Sequence, residues 1–524
     1  GRMQTGAKQS VRNLVFWPPF ALLLTAVVFS FVNLTAFLDT MNNINDWILA
    51  HFDWLFSYTT LCLLISLIVV FFSPLGKVKI GGKKAQPVLS KWRWFSITLC
   101  TTIATGILFW AAAEPMYHVY APPASLELVP GSSAAREFTM ATMFMHWSFS
   151  PYAIYCVPSL VFALCYHNLQ KPFTIGASLS PALGKFAFST GGHLIDALAL
   201  FALISGMSAS LGAGILIISG GIEAELGLSN GKSLMAIVAA TIVLTFVFSA
   251  ISGLHKGIAR LSNINAQTFI FFLGFVLLAG PTANIAILGI QGLSEYASSF
   301  IARSTNQLTA TEDGWTRAWT VFYLANWYAW APITALFLGR IAKGYTVRQF
   351  IIVNLVLPSL CAIVWMSTFS GATIFFDDAL GGAFRESLVS NGPESVVFLL
   401  LDNLPYAAGM TLTLIGVTFV SFVTAADSNT DAMSRLCTSA DFSTVNPSKT
   451  NLYLKIVWGA TIGIISWVMV SFASVDGLRM LSNLGGLPAI FIIIITNISL
   501  FIMLKKVLTG ERLEPVKGEN FNQK

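Results

Sequence analysis

The chain has 524 residues, of which 55% are hydrophobic and only 10% charged, with a mean hydropathy of +0.72. A water-soluble domain carries roughly 25% charged residues, so this composition excludes an ordinary soluble enzyme or binding module. The net charge of +6 is spread over short loops between apolar runs, where a role in setting membrane topology is the default, and not a nucleic-acid surface.

An apolar helix needs about 20 residues to cross a hydrocarbon core about 30 Å thick. Taken in chain order, the first half of the sequence gives such runs at Val15–Leu34, Trp54–Phe72, Trp94–Ala113, Thr139–Tyr166, Leu194–Ile222 and Leu234–Ser252. The second half gives Thr268–Gly280, Trp319–Ile341, Phe350–Phe369, Ala408–Thr424, Leu454–Phe472 and Leu487–Leu504. These patterns predict an all-α polytopic membrane protein with about twelve transmembrane helices. Ile285–Ile301 is apolar but interrupted by Gln291 and Glu295, which reads as an amphipathic helix along the interface. The first apolar run lacks a small-residue cleavage site and is expected to stay in the protein. Basic residues cluster in alternate loops: Lys77 to Arg93, Lys256 and Arg260, Arg340 to Arg348, and Arg435, Lys449 and Lys455. That side is expected to be cytoplasmic, with both termini on it.

Two segments interrupt the apolar pattern inside spans: Thr101 to Gly106 on span three and Asn326 to Pro332 on span eight. Paired interruptions in two halves point to an inverted repeat with a midplane binding site. The halves would be 94–281 and 315–508, with 1–93 leading, 282–314 linking and 509–524 a short cytoplasmic tail. The aromatic residues Trp147, Tyr152 and Tyr155 crowd span four, and Trp327, Tyr328 and Trp330 crowd span eight. Aromatic faces converging in a dry site form a cage for a methylated cation, each contributing about 1–2 kcal/mol when desolvated. Such a cage needs no buried carboxylate, which suits a zwitterion. Glu114 and Arg340 are expected at span boundaries, Asp427 in a salt bridge or a helix-end hydrogen bond, and His146 as a packed histidine. Thr424 on span ten, with Ser205, Ser208 and Ser210 on span five, offers hydroxyls that a cation could use. The six cysteines have no metal or redox spacing and are expected to be buried, reduced thiols. No HExxH, GxSxG or GxxxxGK[ST] motif occurs, which argues against hydrolysis and against a nucleotide-driven pump.

The run Trp319-Thr-Val-Phe-Tyr-Leu-Ala-Asn-Trp-Tyr-Ala-Trp-Ala-Pro332, continued by Gly339-Arg340 and Gly344-Tyr-Thr-Val-Arg348, resembles the span-eight signature of the betaine/choline/carnitine transporters. Thr424-Ala-Ala-Asp427-Ser428, Phe109-Trp-Ala-Ala-Ala-Glu114-Pro115 and His146-Trp147 are similar to further motifs of that family. The resemblance implies a LeuT-like fold of two inverted five-helix repeats behind two leading helices, a homotrimer in a bacterial inner membrane, and no enzymatic activity. It implies alternating-access transport of a small onium zwitterion of the glycine betaine, carnitine or dimethylsulfoniopropionate type. Sodium-coupled symport would drive it, with a sodium-independent substrate/product antiporter and a choline-type carrier as alternatives. The substrate site would comprise Trp147, Tyr152, Tyr155, Asn326, Trp327, Tyr328 and Trp330, the gate Phe322, and the span-three residues Ala104 and Gly106. Thr424 and Ser428 would be sodium ligands. The chain departs from the family pattern in three places. Span three reads Thr102-Ile-Ala104-Thr-Gly106 where the family is glycine-rich, its last position favouring a zwitterion over a bare cation. Asn326 stands in place of a tryptophan, and Ala425 in place of a serine beside the presumed ion site.

Overall fold

The computed structural model describes residues 10–103, 106–252, 255–438, 449–515 and 517. The helices in chain order are α1 Asn13–Val32, α2 Leu34–Phe72, α3 Lys91–Thr102, α4 Ile107–Tyr120, α5 Ser133–Trp147 and α6 Phe149–Ala163. They continue with α7 Ile175–Leu183, α8 Thr190–Leu226, α9 Lys232–Ser252, α10 His255–Ala279, α11 Thr282–Ser304 and α12 Phe322–Arg340. The last are α13 Val347–Ile351, α14 Leu357–Ala379, α15 Ala383–Asn391, α16 Ser395–Asp402, α17 Ala407–Leu436 and α18 Lys449–Leu508. Among the described residues the only non-helical pairing is two isolated bridges, Val11 with Thr438 and Lys79 with Thr346. Helices dominate because in lipid a backbone can satisfy its own polar groups only within a helix or a closed barrel.

Ten helical runs are long and apolar enough to cross a bilayer, and the pair α3 and α4, bent by 57°, would make an eleventh. The chain is a polytopic membrane protein. α11 is among the ten, so length and composition allow it to cross. The 60-residue α18 is two helices meeting at Ser474, where φ is 50° and ψ −129°, between the eleventh and twelfth runs read from the sequence. The basic loops meet in pairs. Ile80 donates its amide to the Tyr345 carbonyl at 2.9 Å, and Arg12 donates its amide to the Cys437 carbonyl at 2.7 Å. Loop two–three therefore lies beside loop eight–nine, and the amino-terminal segment beside the end of span ten.

α12 runs through the interior, packed against α6, α8 and α18. Small residues set how closely these helices approach. A Cβ on Gly486 would meet the Ala325 carbonyl oxygen at 2.6 Å, and one on Gly214 would fall 2.0 Å from the Phe422 ring.

Several expectations are corrected. Span eight is not interrupted at Asn326 to Pro332: α12 is continuous through Pro332, and its irregular turn is a π-type stretch earlier, at Arg317–Val321. Pro332 removes one helical hydrogen bond, but the enclosing helices hold α12 in place. Ala325 and Ala329 are packing surfaces for glycines of α8 and α18. Span four stays one run, Ser133–Asn168, but carries an irregular residue at Ser148, where φ and ψ are both −118° and α5 passes into α6. Pro151 has no N–H to offer the Trp147 carbonyl, which lies four residues back. Lys455 is no loop residue. It is 2% exposed on α18, with its Nζ 2.5 Å from Asp427 Oδ1. Glu114 is no boundary residue either, being fully buried. Of the cysteines, all unpaired, Cys62 and Cys100 are exposed on the outside of the bundle and not buried. Lys256 and Arg260 carry side chains outside the described residues.

Removing one partner of a buried ion pair leaves an uncompensated charge and costs roughly 3–5 kcal/mol, whereas an apolar replacement of both is near neutral. Lys455→Met alone is expected to lower the melting temperature of the detergent-solubilised protein markedly. The double variant Lys455→Met with Asp427→Leu should recover most of that loss.

Candidate functional site

The break at Ser148 turns α5 into α6 so that Trp147 ends one helix while Tyr152 and Tyr155 rise from the next. All three face Trp327 of α12. Ring centroids lie 6.0 Å from Trp327 to Trp147, 5.3 Å to Tyr152 and 4.9 Å to Tyr155, with interplanar angles between 57° and 73°. These are tilted and edge-to-face arrangements, the favoured ones for aromatic pairs. The four side chains are 3–6% exposed, so they face the protein interior and not the acyl chains. Tyr323, one turn before Trp327, adds a fifth ring, 5.4 Å from Trp147.

The span-three interruption abuts this group. Thr102, the last residue of α3, donates to the Tyr152 hydroxyl at 3.4 Å and to the Thr98 carbonyl at 2.8 Å. Gly106 opens α4, and a Cβ there would approach Trp110 Cδ1 to 3.3 Å. Ala104, named from the sequence as a site residue, lies outside the described residues.

The remaining candidates point elsewhere. Tyr328 faces α2, its hydroxyl 2.9 Å from Thr60 Oγ1 and its ring tilted on Phe56. Trp330 faces α8, its Nε1 3.2 Å from where a Cβ on Gly206 would be, and it borders an apolar cavity of about 20 Å³ with Phe422, Ala425 and Thr430. Phe322 packs on Trp110 at 5.6 Å, with the Arg479 guanidinium 5.9 Å from its ring. The Asn326 amide donates to Ser482 Oγ at 3.0 Å, which ties α12 to α18. Tyr328, one residue after Trp327, occupies another face of α12, whereas Trp330, three residues on, shares the Trp327 side by spacing but turns its ring to Gly206 of α8.

Thr424 donates its hydroxyl to the Val420 and Ser421 carbonyls of its own helix at 2.9 and 3.0 Å, and Ser428, one turn on, is exposed. Between them, Asp427 holds the Lys455 ammonium. A sodium ion needs several converging oxygens. Here Ala425 supplies no hydroxyl and Ser428 is exposed, while Thr424 Oγ1, although it donates within its helix, keeps its lone pairs free for a cation.

The arrangement at Trp327 presents ring faces without a carboxylate, and Trp147 connects it to Glu114, whose Oε1 accepts from Trp147 Nε1 at 3.3 Å. Over residues 14–508 the chain matches the BCCT description, the betaine/carnitine/choline family transporter. It belongs to that family. Among BCCT relatives, it is 31% identical to glycine betaine transporter 1 of Vibrio parahaemolyticus over 464 residues, 87% of each chain. It is 29% identical to the glycine betaine transporter OpuD of Bacillus subtilis over 519 residues, 97% of each. It is 28% identical to the ectoine/hydroxyectoine transporter of Virgibacillus pantothenticus over 499 residues, 95% of this chain and 98% of that one. As a BCCT member the chain is a transporter and not an enzyme.

In this BCCT chain Asp427 forms the salt bridge expected of it, with Lys455 as the unforeseen partner, while sequence reasoning did not foresee that Glu114, His118 and His146 form one buried cluster. Glu114 and His118 are four residues apart, hence on one helix face, which was the available signal.

Tyr328→Phe removes one buried hydrogen bond and is expected to lower stability by about 1 kcal/mol, read as a small shift in thermal unfolding. Because Tyr328 faces α2, ligand affinity measured on the same sample should stay at the wild-type value.

Proposed function

We propose that the protein is a secondary carrier for a small onium zwitterion such as glycine betaine. The ammonium group would lie against Trp327, Trp147, Tyr152 and Tyr155. The observation that carries this reading is the convergence of three rings from α5 and α6 on one indole of α12, all buried. Aromatic faces attract a desolvated methylated cation without demanding a counter-ion, so the carboxylate end of a zwitterion need not compete with one. The relatives named for betaine and ectoine transport support the substrate class.

The wider architecture follows the same reading. The 57° bend between α3 and α4 is the broken helix of a LeuT-like fold, with two inverted five-helix repeats rocking around the site. α11 lies along the interface, the basic loops and both termini are cytoplasmic, and the assembly is a homotrimer in a bacterial inner membrane.

For the drive, we propose exchange of substrates and not sodium symport. Ala425 supplies no hydroxyl beside Thr424, Ser428 is exposed, and the neighbouring Asp427 carboxylate is already held by the Lys455 ammonium. In proteoliposomes, uptake of labelled glycine betaine should be saturable and accelerated by unlabelled betaine inside. Initial rates should be equal in sodium and potassium, and a sodium requirement would restore symport through Thr424.

Trp327→Ala removes the ring shared by all three contacts and is expected to weaken glycine betaine binding by at least tenfold, since each cage wall contributes about 1–2 kcal/mol. Trp327→Phe keeps a ring face and should retain part of the affinity. Isothermal titration on the purified variants checks both, and unchanged affinity in Trp327→Ala rules out the box.

A further inference from the structure

Behind Trp147 lies a polar cluster that carrier function alone does not require. Glu114 and His118 on α4 and His146 on α5 are 0%, 0% and 1% exposed. Glu114 Oε2 is 2.6 Å from His118 Nε2 and 2.7 Å from His146 Nδ1, while Glu114 Oε1 accepts from Trp147 Nε1. One carboxylate oxygen thus serves two imidazoles, each placed to donate a proton to it. The second nitrogen of each ring then differs. His146 Nε2 is 2.9 Å from Thr320 Oγ1, whereas His118 Nδ1 has no hydrogen-bond partner.

Between the two imidazoles, this asymmetry favours His146 for one further proton. A proton on His118 Nδ1 would be a buried donor without an acceptor, which is costly. On His146 Nε2 it would meet the Thr320 hydroxyl, which can reverse from donor to acceptor by rotating. Buried charges survive in a membrane interior only when paired or functional, and histidine is the side chain whose charge changes most readily around neutral pH. We propose that His146, held by Glu114 and Thr320, is a proton-binding site linked to substrate occupancy of the aromatic box.

The link is physical at both ends. Trp147, a wall of the box, is hydrogen-bonded to the same carboxylate. Tyr323, stacked on His146 at 4.7 Å, also touches Trp147 and lies one turn before Trp327. Thr320 belongs to the π-type turn that leads into α12. Protonation of His146 therefore adds positive charge beside a site that holds a cation, and proton and onium group oppose each other.

Other charged groups around the cluster do not change the sign. Arg303 of α11, buried and bonded to Ser299 and Thr142, places its positive charge on the His118 side of the cluster. Arg479 of α18 is paired with Asp476 and donates to the Ala318 carbonyl. Tyr117 of α4 packs its ring on Trp319. Asp377 of α14 is held by Tyr120, and Glu394, ahead of α16, by Asn230. From α2, Asp53 pairs with Arg317.

The proposal rests on the betaine-type reading, and the test separates the two. Glycine betaine, whose carboxylate stays ionised from pH 5 upward, is titrated into purified protein between pH 5 and pH 8.5. The same titration in weak buffer with an indicator dye reads proton release. The dissociation constant is expected to rise by about tenfold towards pH 5, the size of a single-charge effect over several ångströms in a partly polar interior. Protons should be released on binding at the acid end. His146→Gln keeps hydrogen-bonding capacity at both ends but cannot titrate, so it should flatten the profile and abolish the release while still binding betaine. A constant affinity with no proton release overturns the proposal while leaving the carrier reading intact, as does an unchanged slope in His146→Gln. Failure of glycine betaine to bind at any pH overturns the carrier reading itself.

Discussion

The proposed function depends on one indole. Trp327 meets Trp147, Tyr152 and Tyr155 at once, although those three residues come from two helices separated by a break. The break exists because Pro151 leaves the Trp147 carbonyl without its helical donor. An unbroken helix would place Trp147 and Tyr155 by fixed 3.6-residue geometry. The irregular backbone at Ser148 lets both rings reach the same partner.

The lipid phase explains why such irregularities are so few and where they lie. Unpaired backbone groups are tolerated only where protein covers them, and Ser148 is itself fully buried. The bend between α3 and α4 is tied to the same interior through Thr102 and Tyr152. The same rule governs charge. Lys455 and Asp427 are paired on adjoining helices, Arg303 spends its guanidinium on Ser299, Thr142 and the Phe138 carbonyl, and Glu114 is shared by two imidazoles.

Much of this was legible from the sequence, and the limits have physical causes. Apolar runs of span length are a direct consequence of bilayer thickness, so the helices fell near their expected places. The grouping of Trp147, Tyr152, Tyr155 and Trp327 was also readable, because aromatics deep in a span are rarely lipid anchors. Periodicity separates Tyr328 from Trp327 but not Trp330, whose place beside Gly206 of α8 only the packing shows. Pro332 misled because a proline breaks a helix only when its neighbours cannot compensate, and here the surrounding helices enclose α12. Lys455 read as a loop residue since a lone lysine near a span end usually is one. Only the approach of Asp427 on another helix reveals it as buried. His146 looked like an isolated histidine for the same reason. Its partners Glu114 and Thr320 are far away in sequence, 32 and 174 positions.

The central claim is that these rings recognise positive charge on a methylated head group and not merely its shape. A competition titration with glycine betaine and its tert-butyl isostere, 3,3-dimethylbutanoate, tests this most directly, because the two share a carboxylate and differ only in a positive nitrogen against an uncharged carbon at the branched centre. Glycine betaine should bind at least tenfold more tightly than the isostere, a difference of about 1.4 kcal/mol, within the range for a desolvated cation on aromatic faces. Equal affinity for the two would contradict the account, since an apolar pocket would then explain the binding without any attraction of the rings for charge.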